Sequence, residues 1–293
     1  MPQWEFPGSD PIDVFADLAS GRLALAAGPV SATSVTVAPS RFSRNAEKLI
    51  SEFRVTFDGG RLEVVGPKRP GLFRGSASFD VTITLPEGSR GALRTASADI
   101  SCTGDLGALE AHTASGDITA ASVTGHLQAE SSSGDVRLDE TGPVEIRTAS
   151  GDVRLARARD DVSVRTASGD VTIANAPESV TVSTASGDVR LARVARGSTQ
   201  VNTASGDVVI GVAAGVGVYL DLSSATGSVT SQLDDTEPSD DVPLTVRCRT
   251  ASGDIRITRA AAAEPAPPRA PAPPQAPAPP SAIPPATEST PAE

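Results

Sequence analysis

Aromatic residues, cysteines and positive charge are all scarce in this sequence, and each scarcity excludes a class of protein. The net charge of −11 over 293 residues opposes binding to a phosphate backbone or an anionic membrane surface, so we expect no nucleic-acid partner. Two cysteines, Cys102 and Cys248, are too few for a disulfide framework or a metal knuckle. Aromatics amount to 3%, and all seven Phe and the single Trp precede residue 80. The rest of the chain must therefore pack its core from aliphatic and small side chains.

Long apolar runs are missing as well. Nowhere do about 18 consecutive apolar residues occur, which is the length that a membrane-spanning helix needs. The start, MPQWEFPGSDPIDVF, has neither the basic region nor the apolar run of a signal peptide. We therefore expect no transmembrane segment and a cytoplasmic location. The alternative is the cell surface, if the start site is misassigned and a signal precedes it.

What the sequence does contain is one phrase repeated many times. Thr-Ala-Ser-Gly-Asp occurs six times intact, and degenerate copies begin at Thr95, Ser131 and Ser224. The intact copies begin at Thr113, Thr148, Thr166, Thr184, Thr203 and Thr250. From Asp99 to Asp207 the closing residues are 17 to 19 positions apart, and the last two intervals widen to 21 and 26. A fixed period of this kind marks a repeat architecture, with loops inserted near its end.

Each repeat unit contains two short strands joined by a constant corner. In residues 160–177, Val162 and Val164 alternate with polar residues before the phrase, and Val171 and Ile173 do so after it. A parallel β-solenoid with about 18 residues per coil satisfies this pattern, because constant corners then stack about 4.8 Å apart. The alternative is an antiparallel meander in which Ala-Ser-Gly-Asp is a hairpin loop. A meander does not need the same turn at every other corner, so the predicted fold class is an all-β, parallel β-solenoid.

The candidate site residues are the Gly and Asp of each corner, in a structural role. Glycine accepts the positive φ angles of tight turns, and Asp side chains bond nearby backbone N–H groups. These turn residues are Gly116, Asp117, Gly134, Asp135, Gly151, Asp152, Gly169, Asp170, Gly187, Asp188, Gly206, Asp207, Gly253 and Asp254.

Stacked aspartates need compensation, because carboxylates about 4.8 Å apart repel by roughly 1 kcal/mol per pair even in water. One solution is Ca²⁺, as in glycine-rich nonapeptide β-rolls, but one Asp per 18 residues matches that motif poorly. The other is that each Asp accepts N–H bonds in its own turn, helped by Arg154, Arg190 and Arg256 two residues further on. We predict turn capping and no bound metal.

No other pattern indicates catalysis or a cofactor. His112 and His126 are 14 residues apart and therefore out of register in an 18-residue coil, and DDTEPSDD at 234–241 indicates a solvated loop. Repeated Ser-Gly-Asp does not make hydrolase sites, because a nucleophile needs a positioned base. With coils in chain order, eight steps place Cys102 roughly 40 Å from Cys248, so we expect unbridged thiols. We predict a non-enzymatic protein without cofactors; a carbohydrate-active β-helix enzyme is the alternative, and the repeats supply few aromatic platforms for it.

Composition divides the chain into three parts. Residues 1–90 hold the aromatics and predict an N-terminal β cap continuous with the solenoid, covering an end coil that is otherwise exposed. Within this part FDGGRL predicts a tight hairpin. Residues 91–259 are the repeat solenoid. Residues 260–293 hold 12 of the 24 prolines and predict a disordered tail.

The repeats also carry a resemblance. The TASGDV phrases, with FDVTITLPEGSRGALRTASADI before them and VYLDLSSATGSVTSQL and VRCRTASGDIRI near the end, resemble the bacterial β-strand-repeat domain of unknown function called the toastrack domain, which is labelled an adhesin. The resemblance covers about residues 10–259. It implies no catalytic residues. Some relatives are joined to envelope-stress components or encoded near them, which implies a regulatory or scaffold role.

These observations together predict a non-enzymatic β-repeat scaffold or interaction module linked to envelope-stress regulation. The alternative is a cell-surface, adhesin-like module. We expect protein partners, and the ends and edges of a solenoid also offer surfaces for self-association.

Overall fold

The structure is a computed structural model that describes residues 2–40, 49–67, 78–233 and 244–260. The described residues form 23 β-strands. The strands are β1 (Gln3–Pro7), β2 (Asp13–Gly28), β3 (Ala32–Pro39), β4 (Arg54–Asp58), β5 (Arg61–Val65), β6 (Phe79–Pro86), β7 (Arg90–Leu106), β8 (Ala108–Thr113), β9 (Ile118–Val123), β10 (Leu127–Ser131), β11 (Val136–Thr141), β12 (Val144–Thr148), β13 (Val153–Ala158), β14 (Val162–Thr166), β15 (Val171–Asn175), β16 (Val180–Ser186), β17 (Val189–Val194), β18 (Ser198–Ser205), β19 (Val208–Val212), β20 (Val218–Ser224), β21 (Val229–Ser231), β22 (Leu244–Ser252) and β23 (Ile255–Arg259). One compact unit spans Met1–Ala262. Apart from residue 260, the predicted tail lies outside the described residues.

Neighbouring repeat units pair as parallel strands in register. Val144 of β12 lies opposite Val162 of β14, which lies opposite Val180 of β16. The first strands of the units build one face of the solenoid and the second strands build the other. A meander would pair β14 with β15, whereas each of these strands pairs with its equivalents in the adjacent units. The parallel β-solenoid is confirmed.

The alternation of side chains explains which faces are buried. Val162, Val164 and Thr166 of β14 are buried, while Arg165 is exposed. The register then stacks like on like, so that Val164 lies between Ile146 and another buried valine in the next coil. Burying an aliphatic side chain of this size contributes about 1.5–3 kcal/mol. The repeat core is therefore stabilised by continuous aliphatic rows.

The coils approach each other most closely at the glycine of the repeated phrase. A Cβ atom on Gly134 would lie 1.8 Å from the carbonyl oxygen of Gly116, and one on Gly187 would lie 2.2 Å from that of Gly169. The equivalent glycines up to Gly253 face a carbonyl oxygen of the adjacent coil at 1.8–2.3 Å in the same way. Gly169 and Gly187 have φ of 140°, as predicted. The close approach is nevertheless the requirement that all these corners share.

The N-terminal end of the solenoid finishes in antiparallel strands. On one face β3 pairs with β6 and β1 pairs with β3. On the other, β4 forms a hairpin with β5 around Gly59 and Gly60, as FDGGRL predicts. Phe6 of β1 stacks on Phe57 of β4 with ring centroids 4.9 Å apart. Aromatic packing therefore joins the two outermost strands at this end.

Strands β2 and β7 run through both faces without interruption. The first half of β2 pairs with β5 and β7, and its second half pairs with β6 and β7. Midway, Gly21 lies opposite Ala98 and Arg22 lies opposite Asp99, so residues 18–22 (LASGR) occupy the corner of a further coil. This copy of the phrase is hard to recognise in the sequence because Arg22 stands in the place of Asp.

At the C-terminal end the coils do not follow chain order. Strand β22 lies between β18 and β20, and β23 lies between β19 and β21. The expected sequential order is therefore wrong at this step, since the long connection between Ser231 and Leu244 allows the chain to step back one coil. Cys248 is then seven coil steps, about 34 Å, from the coil of Cys102. Both thiols are free and buried.

Substitution of a corner glycine tests the close approach. We expect Gly134→Ala to lower the free energy of unfolding by about 1–3 kcal/mol, because the new Cβ atom forces two backbones apart. The control is Gly28→Ala, since a Cβ atom there meets nothing within 4 Å, and we expect a change within about 0.5 kcal/mol. Urea denaturation measures both. Equal stability of the two variants would contradict a corner fixed by backbone contact.

Candidate functional site

The corner aspartates form a continuous hydrogen-bonded ladder. The Oδ1 atom of Asp117 accepts the backbone N–H of Asp135, whose own Oδ1 accepts the N–H of Asp152, both at 3.0 Å. The same bond, at 2.8–3.1 Å, joins Asp99 to Asp117, Asp152 to Asp170, Asp170 to Asp188, Asp188 to Asp207 and Asp207 to Asp254. We predicted that each Asp accepts an N–H of its own turn. The structure shows instead that each Asp accepts an N–H of the next coil, because the parallel register brings that group to the carboxylate.

Arginines neutralise the early part of this aspartate ladder. Arg137 lies 3.3 Å from a carboxylate oxygen of Asp117 and 2.6 Å from one of Asp135. Arg154, two residues after Asp152, lies 3.0 Å from it, as the sequence predicts. These pairs are half exposed, so each contributes at most about 1 kcal/mol.

The middle of the aspartate ladder carries charge without an ionic partner. Asp170, Asp188 and Asp207 form no ion pair with a described residue, and neither does Arg190. Across the described ranges, no three His, Cys, Asp or Glu side chains are placed to share a metal ion. The backbone N–H bonds are the compensation that the structure shows at these carboxylates.

The two ends of the aspartate ladder differ from its middle. Arg22 lies in register between Asp80 and Asp99. At the opposite end, Asp254 accepts the N–H of Ser228 at 2.9 Å, and this bond lowers the pKa of the Asp254 carboxyl. Within the described part of the chain no coil follows Ser228, so a carboxylate there would add charge with no N–H to accept.

A trough of about 550 Å³ runs across four coils on the first-strand face, beside the corners. One wall is a register row of outward side chains, namely Arg94, His112, Glu130 and Arg147. The other side is lined by residues of the corners, including Thr113 and Ser131. We call this feature the charged trough.

Hydrogen bonds hold the charged row in place. The His112 ring has Nδ1 3.0 Å from Glu130 and Nε2 2.8 Å from Glu110. Arg147 donates to Glu130 at 3.0 Å and also to Glu145. The bond from Arg147 is the main cause that lowers the pKa of Glu130. The charged trough therefore presents fixed charges of both signs.

The charged row is absent from the predictions above, although the sequence contains a signal for it. Arg94, His112, Glu130 and Arg147 are 17 or 18 residues apart, which is the period of the repeated phrase. Charged residues at that interval on outward positions must become neighbours in a parallel solenoid.

The two histidines lie in different places, as predicted. His112 lines the charged trough, whereas His126 lines a separate groove at the start of the first strands. Both ring nitrogens of His112 are hydrogen-bonded to carboxylates, so neither is placed against the hydroxyl of Thr113 or Ser131. The arrangement suits the binding of charged groups and does not provide the nucleophile–base pair of covalent catalysis.

Comparisons with known proteins give one family match and several similar solved structures. The family model described as Toastrack DUF4097 matches residues 34–258. A "putative adhesin" from Parabacteroides distasonis is 12% identical, with a TM-score of 0.50 and coverage of 87% of this chain and 96% of its own. A "putative lipid binding protein" from the same species is 13% identical, covering 86% and 96% at a TM-score of 0.45. A "putative adhesin" from Bacteroides fragilis is 10% identical, covering 87% and 96% at a TM-score of 0.44. No curated protein sequence matches the chain.

The parallel solenoid and the charged trough define a β-repeat interaction module. The family match spans more than half of the chain, and the protein belongs to the toastrack family. The similarity to the first of the solved structures extends to the fold alone. Among the described residues no helix has the length and apolarity to cross a membrane.

Two substitutions of Asp170 separate hydrogen bonding from charge. Asn keeps an oxygen for the N–H of Asp188 and removes repulsion, so we expect Asp170→Asn to keep stability or raise it by up to roughly 1 kcal/mol. Asp170→Ala removes the acceptor, and we expect a loss of about 0.5–1.5 kcal/mol. Urea denaturation at low salt measures both. Equal losses would show that the negative charge itself is required, as in a cation site.

The charged row gives a pH-dependent prediction. The pKa of Glu130 is lowered on folding, so its ion pair stabilises the protein above the unfolded-state pKa and is lost as the pH falls through the lowered value. We expect Arg147→Gln to raise the pKa of Glu130, measured by NMR titration of its carboxyl carbon. Arg165→Gln, one coil further along the row, is the matched control and should leave that pKa unchanged. The same titration curve in all three proteins would refute the assigned cause.

Proposed function

We propose that this protein is a non-enzymatic scaffold that binds a protein partner along the charged trough. The observation that carries the proposal is the row Arg94, His112, Glu130 and Arg147, which lie at the spacing of the coils. Hydrogen bonds hold His112, Glu130 and Arg147, and an ion pair with Glu110 at 3.7 Å holds Arg94. Side chains that are ordered before binding lose less conformational entropy when a partner arrives. A fixed pattern of both signs gives specificity for a complementary surface.

The partner that fits best is a protein surface with its own acidic and basic groups in a row. The trough pairs two guanidinium groups with the carboxylates of Glu110, Glu130 and Glu145, so neither a purely anionic nor a purely cationic ligand satisfies it. These pairs are partly solvated, and a partner that covers them strengthens each interaction by excluding water. Charge arrangement, more than buried apolar area, then selects the partner.

Two settings are proposed for this scaffold. The first is inside the cell, in envelope-stress regulation, and its support is the resemblance described above. The second is adhesion at the cell surface, and its support is the adhesin name of structural relatives. Fractionation of the untagged protein from native cells separates them: recovery in the cytosol supports the first setting, and recovery on the outer surface supports the second.

A charge swap tests the trough. We expect Glu130→Arg combined with Arg147→Glu to reduce partner recovery at least about tenfold, because the net charge is kept while the pattern is inverted. Quantitative pull-down from native cells compares this variant with the wild type. The matched control is Arg190→Glu on the opposite face, which should recover the partner fully. The proposal fails if the swapped variant, folded by circular dichroism, recovers the same partner, or if the wild type enriches none.

A further inference from the structure

A second depression lies on the first-strand face of the solenoid, where β2, β7 and β8 begin. Its volume is about 350 Å³, which falls at the lower end of the roughly 300–1,000 Å³ typical of small-molecule sites. Phe15 lines it, and we call it the Phe15 groove. It shares Glu110 with the network of the charged trough but is otherwise lined by different residues.

Small side chains in register make the floor of the Phe15 groove. Ala92 lies between Phe15 on one neighbouring strand and Glu110 on the other. Ala108 lies beside Arg90 in the adjacent row. Because both positions carry only a methyl group, the sheet surface is recessed between longer side chains. The groove therefore follows from the order of residues along two register rows.

Phe15 gives the groove an aromatic wall. Val14 and Ala16 on either side of it are buried, so the Phe15 ring points away from the core. The guanidinium of Arg94, from outside the groove, lies 5.8 Å from the ring centroid and restrains the ring. An outward ring beside a recess offers an apolar face that a ligand can cover.

The polar lining of the groove holds as many carboxylates as guanidinium groups. The carboxylates of Asp13 and Glu110 match the guanidinium groups of Arg61 and Arg90, while Gln128 adds a neutral amide and His126 an imidazole ring. Asp13 and Arg90 are 3.3 Å apart. Carboxylate, amide and guanidinium groups together supply both donors and acceptors for hydroxyl groups. A phosphate or carboxylate ligand is favoured where guanidinium groups outnumber carboxylates, and in this lining they do not.

We propose that the Phe15 groove binds a neutral sugar residue. One face of the sugar ring packs on Phe15, and its hydroxyl groups bond to Asp13, Arg90 and Gln128. The volume suits one or two rings. The inference does not rest on the scaffold function, because the residues that contact the sugar do not line the charged trough.

Saturation-transfer NMR with glucose, galactose, mannose and N-acetylglucosamine tests the groove, with glucuronic acid and glucose 6-phosphate as charged probes. We expect saturation of at least one neutral sugar and weaker binding of both anions. Phe15→Ala should lower the affinity about tenfold, because a stacking contact of this kind contributes about 1.4 kcal/mol. Phe15→Tyr should keep it.

A second variant separates loss of sugar binding from loss of folding. Ala92→Leu removes no contact and fills the floor, so it should abolish sugar binding while circular dichroism and partner recovery stay unchanged. Tyr219→Ala removes an exposed aromatic outside the groove and should bind sugar like the wild type. Absence of saturation for every neutral sugar, tighter binding of an anion, or undiminished binding by Ala92→Leu would each overturn the proposal.

Discussion

Contact between the glycine backbones of adjacent coils is the constraint on which the rest of this structure depends. At the repeated corner a Cβ atom would lie 1.8–2.3 Å from a carbonyl oxygen of the neighbouring coil, well inside contact distance. Any side chain there would push the corners apart and break the spacing of about 4.8 Å between strands. Since each coil touches mainly its two neighbours, the same requirement returns at each corner from Gly116 to Gly253, whereas Ala98 occupies this position in the first copy of the phrase. The glycine of the repeated phrase meets that requirement, because it has no Cβ atom.

Exact stacking has an electrostatic consequence, because identical residues become neighbours. The aspartate ladder brings like charges together, and the structure offsets this with an N–H bond from each following coil and with arginines at Asp117, Asp135 and Asp152. At the ends, Arg22 stands in place of Asp in register between Asp80 and Asp99, and Ser228 does so where no described coil follows to donate an N–H. Departures from the phrase are thus explained by position along the solenoid.

The same register also makes surfaces that no single repeat contains. Where outward residues differ from coil to coil, a row can alternate in charge, as in the charged trough, or can mix large and small side chains, as in the Phe15 groove. The core rows remain aliphatic and almost uniform, so variation on the outside costs the fold little. A regular scaffold with irregular outer rows is suited to binding, because recognition is varied without disturbing the stacking.

Sequence alone determined the unit of this protein: two short strands, a glycine corner and a core without aromatics, stacked in parallel. These follow from the alternation of Val162 and Val164 and from the 18-residue period, which are local properties of the chain. Only the tertiary structure decided which coils are neighbours, that Asp carboxylates bond to the next coil, that residues 18–22 (LASGR) form a corner, and that β22 and β23 lie ahead of β20 and β21. The physical reason is that every corner can stack on every other, so order along the axis depends on the connections and on packing at the two ends.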